Sequence, residues 1–167
     1  MNMMPALSAL DTMLADIRVA ARTPLDDRPA AVAEAIRPYL DDPRLLAEKD
    51  CPCCPDRYIR HLLGEGDGYA VVALVWRPGQ MSPVHAHRTW CALGVHRGVL
   101  SEHFFQAGET PCPTAVHLRG RGATSHGPAS PELIHRIANC SAEVAVSIHV
   151  YGVPFADFAE GVNEVLA

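Results

Sequence analysis

The sequence predicts an all-β barrel or sandwich that carries helices from its N-terminal third on the outside. Three observations lead to that expectation. From Tyr58 onward, short runs rich in β-branched and aromatic residues alternate with Gly and Pro punctuation, a spacing that suits consecutive antiparallel strands and not βαβ units. Residues 5–49 instead are rich in Ala, Leu, Asp and Arg, and Leu7, Leu10, Met13, Leu14 and Ile17 recur there at helical intervals. Such short amphipathic helices cannot bury their own apolar stripe, so they must lie on the strands that follow. The length, 167 residues, matches about one domain at roughly 150 residues each, read as a helical segment over 1–50 and a barrel over 58–152.

Taken in order, a first helix covers the Leu7–Ile17 stripe, and Pro29 opens a second that Pro38 limits or kinks. A third helical piece is predicted over Pro43–Lys49. The predicted strands are Tyr69–Trp76, Trp90–Val95, Val99–Phe105, Ala115–Leu118, Leu133–Ala138 and Val144–Tyr151. His96-Arg97-Gly98 reads as a hairpin turn, and Gly120–Pro131 as a loop between the halves of the barrel.

Composition removes several classes of function. Fourteen Lys and Arg against nineteen Asp and Glu give a net charge of −5, the wrong sign for a nucleic-acid surface. The longest unbroken apolar run, Ala70 to Trp76, is too short to cross a bilayer as a helix. Asp11 and Asp16 interrupt the N-terminal stretch where a signal peptide would be continuously apolar. The expectation is a cytoplasmic protein with no nucleic-acid or membrane partner, its six cysteines kept as thiols.

The chemistry is carried by histidines. His85 and His87 are two residues apart, so on a strand both imidazoles face the same way. His135 on a neighbouring strand would complete a group of three neutral imidazoles, which suits Fe, Zn, Cu or Ni and leaves positions open for substrate. Ser147, His149 and Tyr151 also alternate along one strand and share a face, where interior polar groups need one another as partners.

Gly79, five residues, His85-Ala86-His87 and then Gly98 follow the first motif of the cupin barrels, the double-stranded β-helix or jelly-roll fold, and His135 with Asn139 matches the end of the second. The position where that motif has its glutamate ligand is Cys91. A three-histidine cupin without the carboxylate resembles the cysteine dioxygenase family. Tyr58-Ile59-Arg60-His61, Val75-Trp76-Arg77-Pro78-Gly79-Gln80 and Ser147-Ile148-His149-Val150-Tyr151 resemble that family's segments, the last most strongly. Ala86 replaces the aspartate usual between the two ligands, and Glu132 replaces a glycine before the third.

The resemblance implies Fe(II) held by His85, His87 and His135, with Arg60 and Tyr58 meeting a small thiol carboxylate. Tyr151, positioned through His149 and Ser147, would offer its hydroxyl to bound oxygen or to the substrate carboxylate. The implied reaction is oxidation of L-cysteine to its sulfinate by O2. The alternatives are a 3-mercaptopropionate or mercaptosuccinate dioxygenase, a non-catalytic metal-binding cupin, and a zinc or nickel cupin isomerase. Mercaptopropionate enzymes carry Gln where this chain has Arg60, which favours cysteine. Cys91, four residues after His87, shares its face and either forms the thioether to Tyr151 found in animal members of the family or only fills the glutamate position.

Other candidates are set aside. Cys51-Pro52-Cys53-Cys54 has no second cysteine pair to complete a zinc site, and reads as a loop of thiols. His61, His96, His103, His117 and His126 are not spaced as ligands, and Cys112 and Cys140 read as ordinary thiols. Arg119-Gly120-Arg121 reads as a solvated turn.

Overall fold

A computed structural model describes residues 6–167. Helix α1 spans Ala9–Ala20 and α2 spans Arg28–Ile36, the latter with Pro29 in its first turn and a single 3-10 turn at Arg37–Tyr39 after it. Ser8 starts α1 with a reciprocal cap: its hydroxyl accepts from the Asp11 amide, and the Asp11 carboxylate accepts from the Ser8 amide. Of the segment expected to be helical, residues 1–5 lie outside the described ones. Pro43–Lys49 is a string of tight turns and not a helix. There the Asp42 carboxylate takes the Arg44 amide and guanidinium, a local competitor for helical hydrogen bonding.

Ten strands follow: β1 Ile59–Gly66, β2 Tyr69–Trp76, β3 His85–His87, β4 Cys91–Arg97, β5 Leu100–Gln106, β6 Cys112–Arg119, β7 Thr124–Gly127, β8 Ser130–Ala138, β9 Ala145–Tyr151 and β10 Asn163–Val165. They form two five-stranded antiparallel sheets, β1-β2-β9-β4-β7 and β10-β3-β8-β5-β6, which face each other as the expected double-stranded β-helix of a cupin barrel. A four-residue helix, α3 (Phe158–Gly161), leads into β10. Strand pairing therefore extends past the predicted barrel end at residue 152. No helix among the described residues is long and apolar enough to cross a membrane.

Alternation explains why β2 is apolar throughout. Ala70, Val72, Leu74 and Trp76 point into the barrel, whereas Val71 and Ala73 point outward beneath α1 and α2. A strand covered on both faces needs apolar residues at every position. Met13, Ile17, Val32, Ile36 and Leu40 are fully buried against that outer face, each contributing about 1.5–3 kcal/mol. On the other sheet, Val116 and Leu118 of β6 stay exposed.

Two connections differ from the sequence reading. His96-Arg97-Gly98 is not a hairpin, because β4 and β5 belong to different sheets. Gly98 makes the crossing with φ 76° and packs so closely on β9 that a Cβ there would stand 3.0 Å from Ala145. The stretch Gly120–Pro131 does carry the chain back between the sheets, but it contains β7, whose Thr-Ser-His-Gly sequence has no apolar alternation to read.

Gly94 sets how closely the helices approach: a Cβ there would stand 2.5 Å from Leu40 and 3.2 Å from Ile36. Gly94→Val is expected to lower stability by about 1–3 kcal/mol through overpacking, read as a lower urea midpoint. Because this contact lies on the outside of the sheet opposite the histidines, divalent-metal binding should be unchanged; its loss would show that the helices shape the interior.

Candidate metal centre

Strand β3 runs between β8 and β10, and its register brings the histidines together. His85 pairs directly with His135, and the two-residue repeat puts His87 on the same inward face. All three are buried. Their ligand atoms lie within 4.8 Å of one another, with His87 Nε2 standing 3.0 Å from His85 Nε2 and 3.2 Å from His135 Nε2.

The groups behind the rings decide where the protons sit. His85 Nδ1–H donates to the Pro83 carbonyl at 2.8 Å, and His135 Nδ1–H donates to Glu102 at 2.9 Å. A carbonyl and a carboxylate can only accept, so both neutral rings turn a bare Nε2 lone pair inward. His87 Nδ1 lies 3.1 Å from Cys91 Sγ, and His87 can offer a proton to only one of its two neighbours. Protonating the rings is opposed: burial, then the charge of His135, lowers His85 to about 4 and takes His87 well below its ordinary value. Facing lone pairs that resist protons are relieved by a metal cation. The donor set, three borderline-soft imidazole nitrogens, fits a transition-metal ion, Fe(II) among them.

Glu102, which the sequence reading passed over, is 1% exposed and holds this arrangement. One oxygen accepts from His135 and from the Ser125 hydroxyl at 3.1 Å; the other accepts from Arg119 Nε at 2.9 Å, with the second Arg119 nitrogen at 2.8 Å. Burial alone would raise its carboxyl, but hydrogen bonds and charge from His135 and Arg119 outweigh it and hold Glu102 below its usual value. Leu100, Glu102 and Phe104 occupy one face of β5, so an acid in an inward register was the available signal. Arg119 is accordingly a partner of a buried carboxylate and not part of a solvated turn, while Arg121 pairs with Asp41 at the surface.

The opposing sheet supplies a second polar row. Trp76 Nε1–H, which can only donate, reaches Ser147 Oγ at 3.0 Å. Ser147 Oγ lies 2.8 Å from His149 Nε2, and His149 Nδ1 lies 2.9 Å from the Tyr151 oxygen; with the Ser147 hydrogen given to Nε2, the ring carries its hydrogen on Nδ1 and donates it to Tyr151. That tautomer leaves the Tyr151 hydrogen free for another acceptor. Burial, then the Arg60 charge, lowers His149 to about 3, so the ring relays hydrogen bonds as a neutral group. Burial also drives Tyr151 far above its ordinary value and keeps it a phenol.

Arg60 projects from β1 beside Tyr58, which stacks on Trp76 at 4.3 Å; the guanidinium touches the Tyr58 hydroxyl at 3.4 Å, and its buried Nε has no partner. Cys91 and Tyr151 are register partners of β4 and β9. Burial, then Glu102, raises the Cys91 thiol far above its ordinary value. It is placed against the back of the His87 ring.

Two cavities meet the histidines. An open one of about 330 Å³ reaches His87 and His135 past Cys91, Glu102, Arg119 and His126. A tight one of about 10 Å³, room for about one water, lies among His85, Arg60, His149, Tyr151 and Asn163. Asn139, the last residue of the second motif, is fully buried and ties the end of β2 to the β8–β9 turn through Trp76 and Glu143 carbonyls. Of the residues set aside, His61 and His96 bind the Pro52 and Leu40 carbonyls, Cys112 and Cys140 are exposed, and all six cysteines are free.

The family model for cysteine dioxygenase type I matches residues 31–160. Among solved structures, the chain is similar to an uncharacterized conserved protein with a double-stranded β-helix domain from Klebsiella pneumoniae, at 19% identity and TM-score 0.51 over 68% of this chain and 90% of that one. A Thermus thermophilus protein matches at 19% identity and TM-score 0.48 over 62% and 90%. A cupin superfamily protein from Desulfitobacterium hafniense matches at 11% identity and TM-score 0.49 over 62% and 84%. The Klebsiella likeness is one of fold.

Glu102→Gln keeps the shape but removes the charge behind His135, and is expected to weaken divalent-metal affinity about 10–100-fold in competition with a chromophoric chelator. His149 gives a pH expectation for the metal-free protein. Its folded value, about 3, lies below the ordinary 6.5, so the unfolded chain binds a proton that the folded one refuses. That stability is present above about pH 6.5 and is lost as pH falls towards 3, by up to about 1.4 kcal/mol per pH unit. Urea titrations of His149→Phe should show a shallower acid decline than wild type; equal slopes would contradict the burial of a neutral ring.

Proposed function

Because the chain belongs to the cysteine dioxygenase type I family, we propose that it is an iron-dependent dioxygenase that converts a small thiol carboxylate, foremost L-cysteine, to the sulfinic acid. The observation that supports this reading most is the placement of an unpaired cation, Arg60, and a phenol with a free hydrogen, Tyr151, beside three converging imidazoles. The overall change is RSH + O2 → RSO2H, with both oxygen atoms entering the product. His85, His87 and His135 would hold the metal. Fe(II) held there would lower the effective pKa of a ligating thiol and bring thiol and O2 together.

The protein residues do the remaining work. Arg60 binds the carboxylate through its planar fork. The tight cavity is far smaller than the open one, yet charge outweighs volume as a guide. A half-buried cation whose innermost nitrogen has no partner favours an anion beside it, whereas shifting a flexible side chain costs about 1 kcal/mol. Arg119, in the larger cavity, already has Glu102. Tyr151 gives its hydrogen to the carboxylate or to developing negative charge on oxygen, held in place by His149, Ser147 and Trp76. Neutral ligands with no carboxylate among them favour an anionic thiolate electrostatically. A reducing cytoplasm suits the six free thiols.

The test is oxygen uptake by anaerobically iron-loaded protein across L-cysteine, 3-mercaptopropionate, mercaptosuccinate and cysteamine, with the product identified by mass. One O2 consumed per thiol and a gain of two oxygen atoms are expected for L-cysteine, and no uptake after His135→Ala. Arg60→Gln is expected to raise KM for L-cysteine roughly 10- to 100-fold, the effect of a lost charged hydrogen bond, with a smaller change for cysteamine, which has no carboxylate. No uptake with any thiol would overturn the reading.

A further inference from the structure

The tight cavity holds a second unmet polar group that none of the roles above uses. Asn163, on β10, is the register partner of His87 on β3. Directly opposed residues of an antiparallel pair stand side by side on one face, so Asn163 is carried inward with the histidine. Its Oδ1 is buried and has no hydrogen-bond partner. A buried oxygen left unpaired is unfavourable, and native interiors rarely leave one without a partner.

Only four buried side-chain atoms among the described residues lack a partner, and two of them, Arg60 Nε and Asn163 Oδ1, belong to residues lining this one cavity. They come from opposite sheets. One wall thus presents a cationic donor, the other a neutral acceptor, and the imidazoles lie on the same sheet as the acceptor. A ligand complementary to all three needs a thiol, a carboxylate and a hydrogen-bond donor on the carbon between them. An α-amino thiol acid has that set. 3-Mercaptopropionate has thiol and carboxylate but no donor, and would offer Oδ1 no hydrogen bond.

We propose that Asn163, brought beside His87 by the β3–β10 pairing, is a specificity-determining residue that accepts a hydrogen bond from the substrate amino group and selects an α-amino thiol carboxylate over its deamino analogue. The proposal rests on the thiol dioxygenase reading and assigns that site's selectivity. Discrimination of this kind works through the penalty for an unpaired buried partner when the wrong ligand binds.

The experiment measures Kd for L-cysteine and 3-mercaptopropionate by calorimetry on the iron-loaded full chain without oxygen, so that binding is read apart from turnover; KM and kcat are then measured in air. In Asn163→Leu, and in Asn163→Ala as a second apolar variant, the preference for L-cysteine should fall roughly 10- to 100-fold. The loss should lie in Kd and KM for L-cysteine, with 3-mercaptopropionate within about twofold of wild type. Asn163→Asp, which has an oxygen on both arms, should keep the preference. An unchanged ratio in the apolar variants, an equal loss for both thiols, or a loss in Asn163→Asp matching that in Asn163→Leu overturns the assignment. The last outcome would mean that the buried end of the amide donates. If wild type binds and oxidises thiol acids while the ratio fails to respond, only the role of Asn163 falls; if it binds none, the dioxygenase reading falls and this inference with it.

Discussion

Three uncharged imidazoles turned toward one another inside a barrel are the constraint on which the rest depends. Each ring must hand its Nδ1 hydrogen to an acceptor behind it for the three Nε2 lone pairs to meet in front. The Pro83 carbonyl and the Glu102 carboxylate do this for His85 and His135, and Cys91 Sγ stands where it can do so for His87. Burial then keeps the rings from charging. Glu102 is a buried anion, so it in turn requires Arg119 and Ser125. The chain of necessity runs from the lone pairs outward through β5 and β6 to the surface.

The two sheets divide the labour. One holds the imidazoles, Glu102 and Asn163 on its inner face; the other holds Arg60, Cys91, Ser147, His149 and Tyr151. Helices α1 and α2 press on the β1-β2-β9-β4-β7 sheet, whose β2, β4 and β9 are apolar outside for that reason. Trp76 can only donate, so Ser147 Oγ accepts there and its own hydrogen is available to His149 Nε2; in that tautomer His149 donates to Tyr151, which is left with a hydrogen to give. Arg60 and Tyr151 then meet the imidazoles only because the sheets close face to face.

Period-two alternation made much of this legible from the sequence. A strand's side chains change face at every residue whatever the surroundings, so His85 with His87, and Ser147 with His149 and Tyr151, could be placed together before any fold was known. The apolar strands covered on both faces stood out for the same reason. β7 and β10 did not, because each is three or four residues long and nearly without apolar side chains; they are strands only because a neighbour supplies the hydrogen bonds. Pro43–Lys49 read as a helix because its composition allows one, but Asp42 offers the backbone a nearer partner.

What the sequence determined by itself was therefore local: which residues share a face, where helices start, that a −5 chain without a long apolar run suits neither nucleic acid nor a spanning helix, and which family its motifs resemble. What only the tertiary structure decided was register across the barrel. That Glu102 stands behind His135, that Arg119 belongs to Glu102 and not to solvent, that Cys91 lies opposite Tyr151, and that Asn163 lies beside His87 all depend on pairings between segments 17 to 76 residues apart. Spacing along a chain fixes a side chain's face, but not its neighbour on the next strand, because a slip of register changes every cross-strand partner while leaving the sequence pattern untouched.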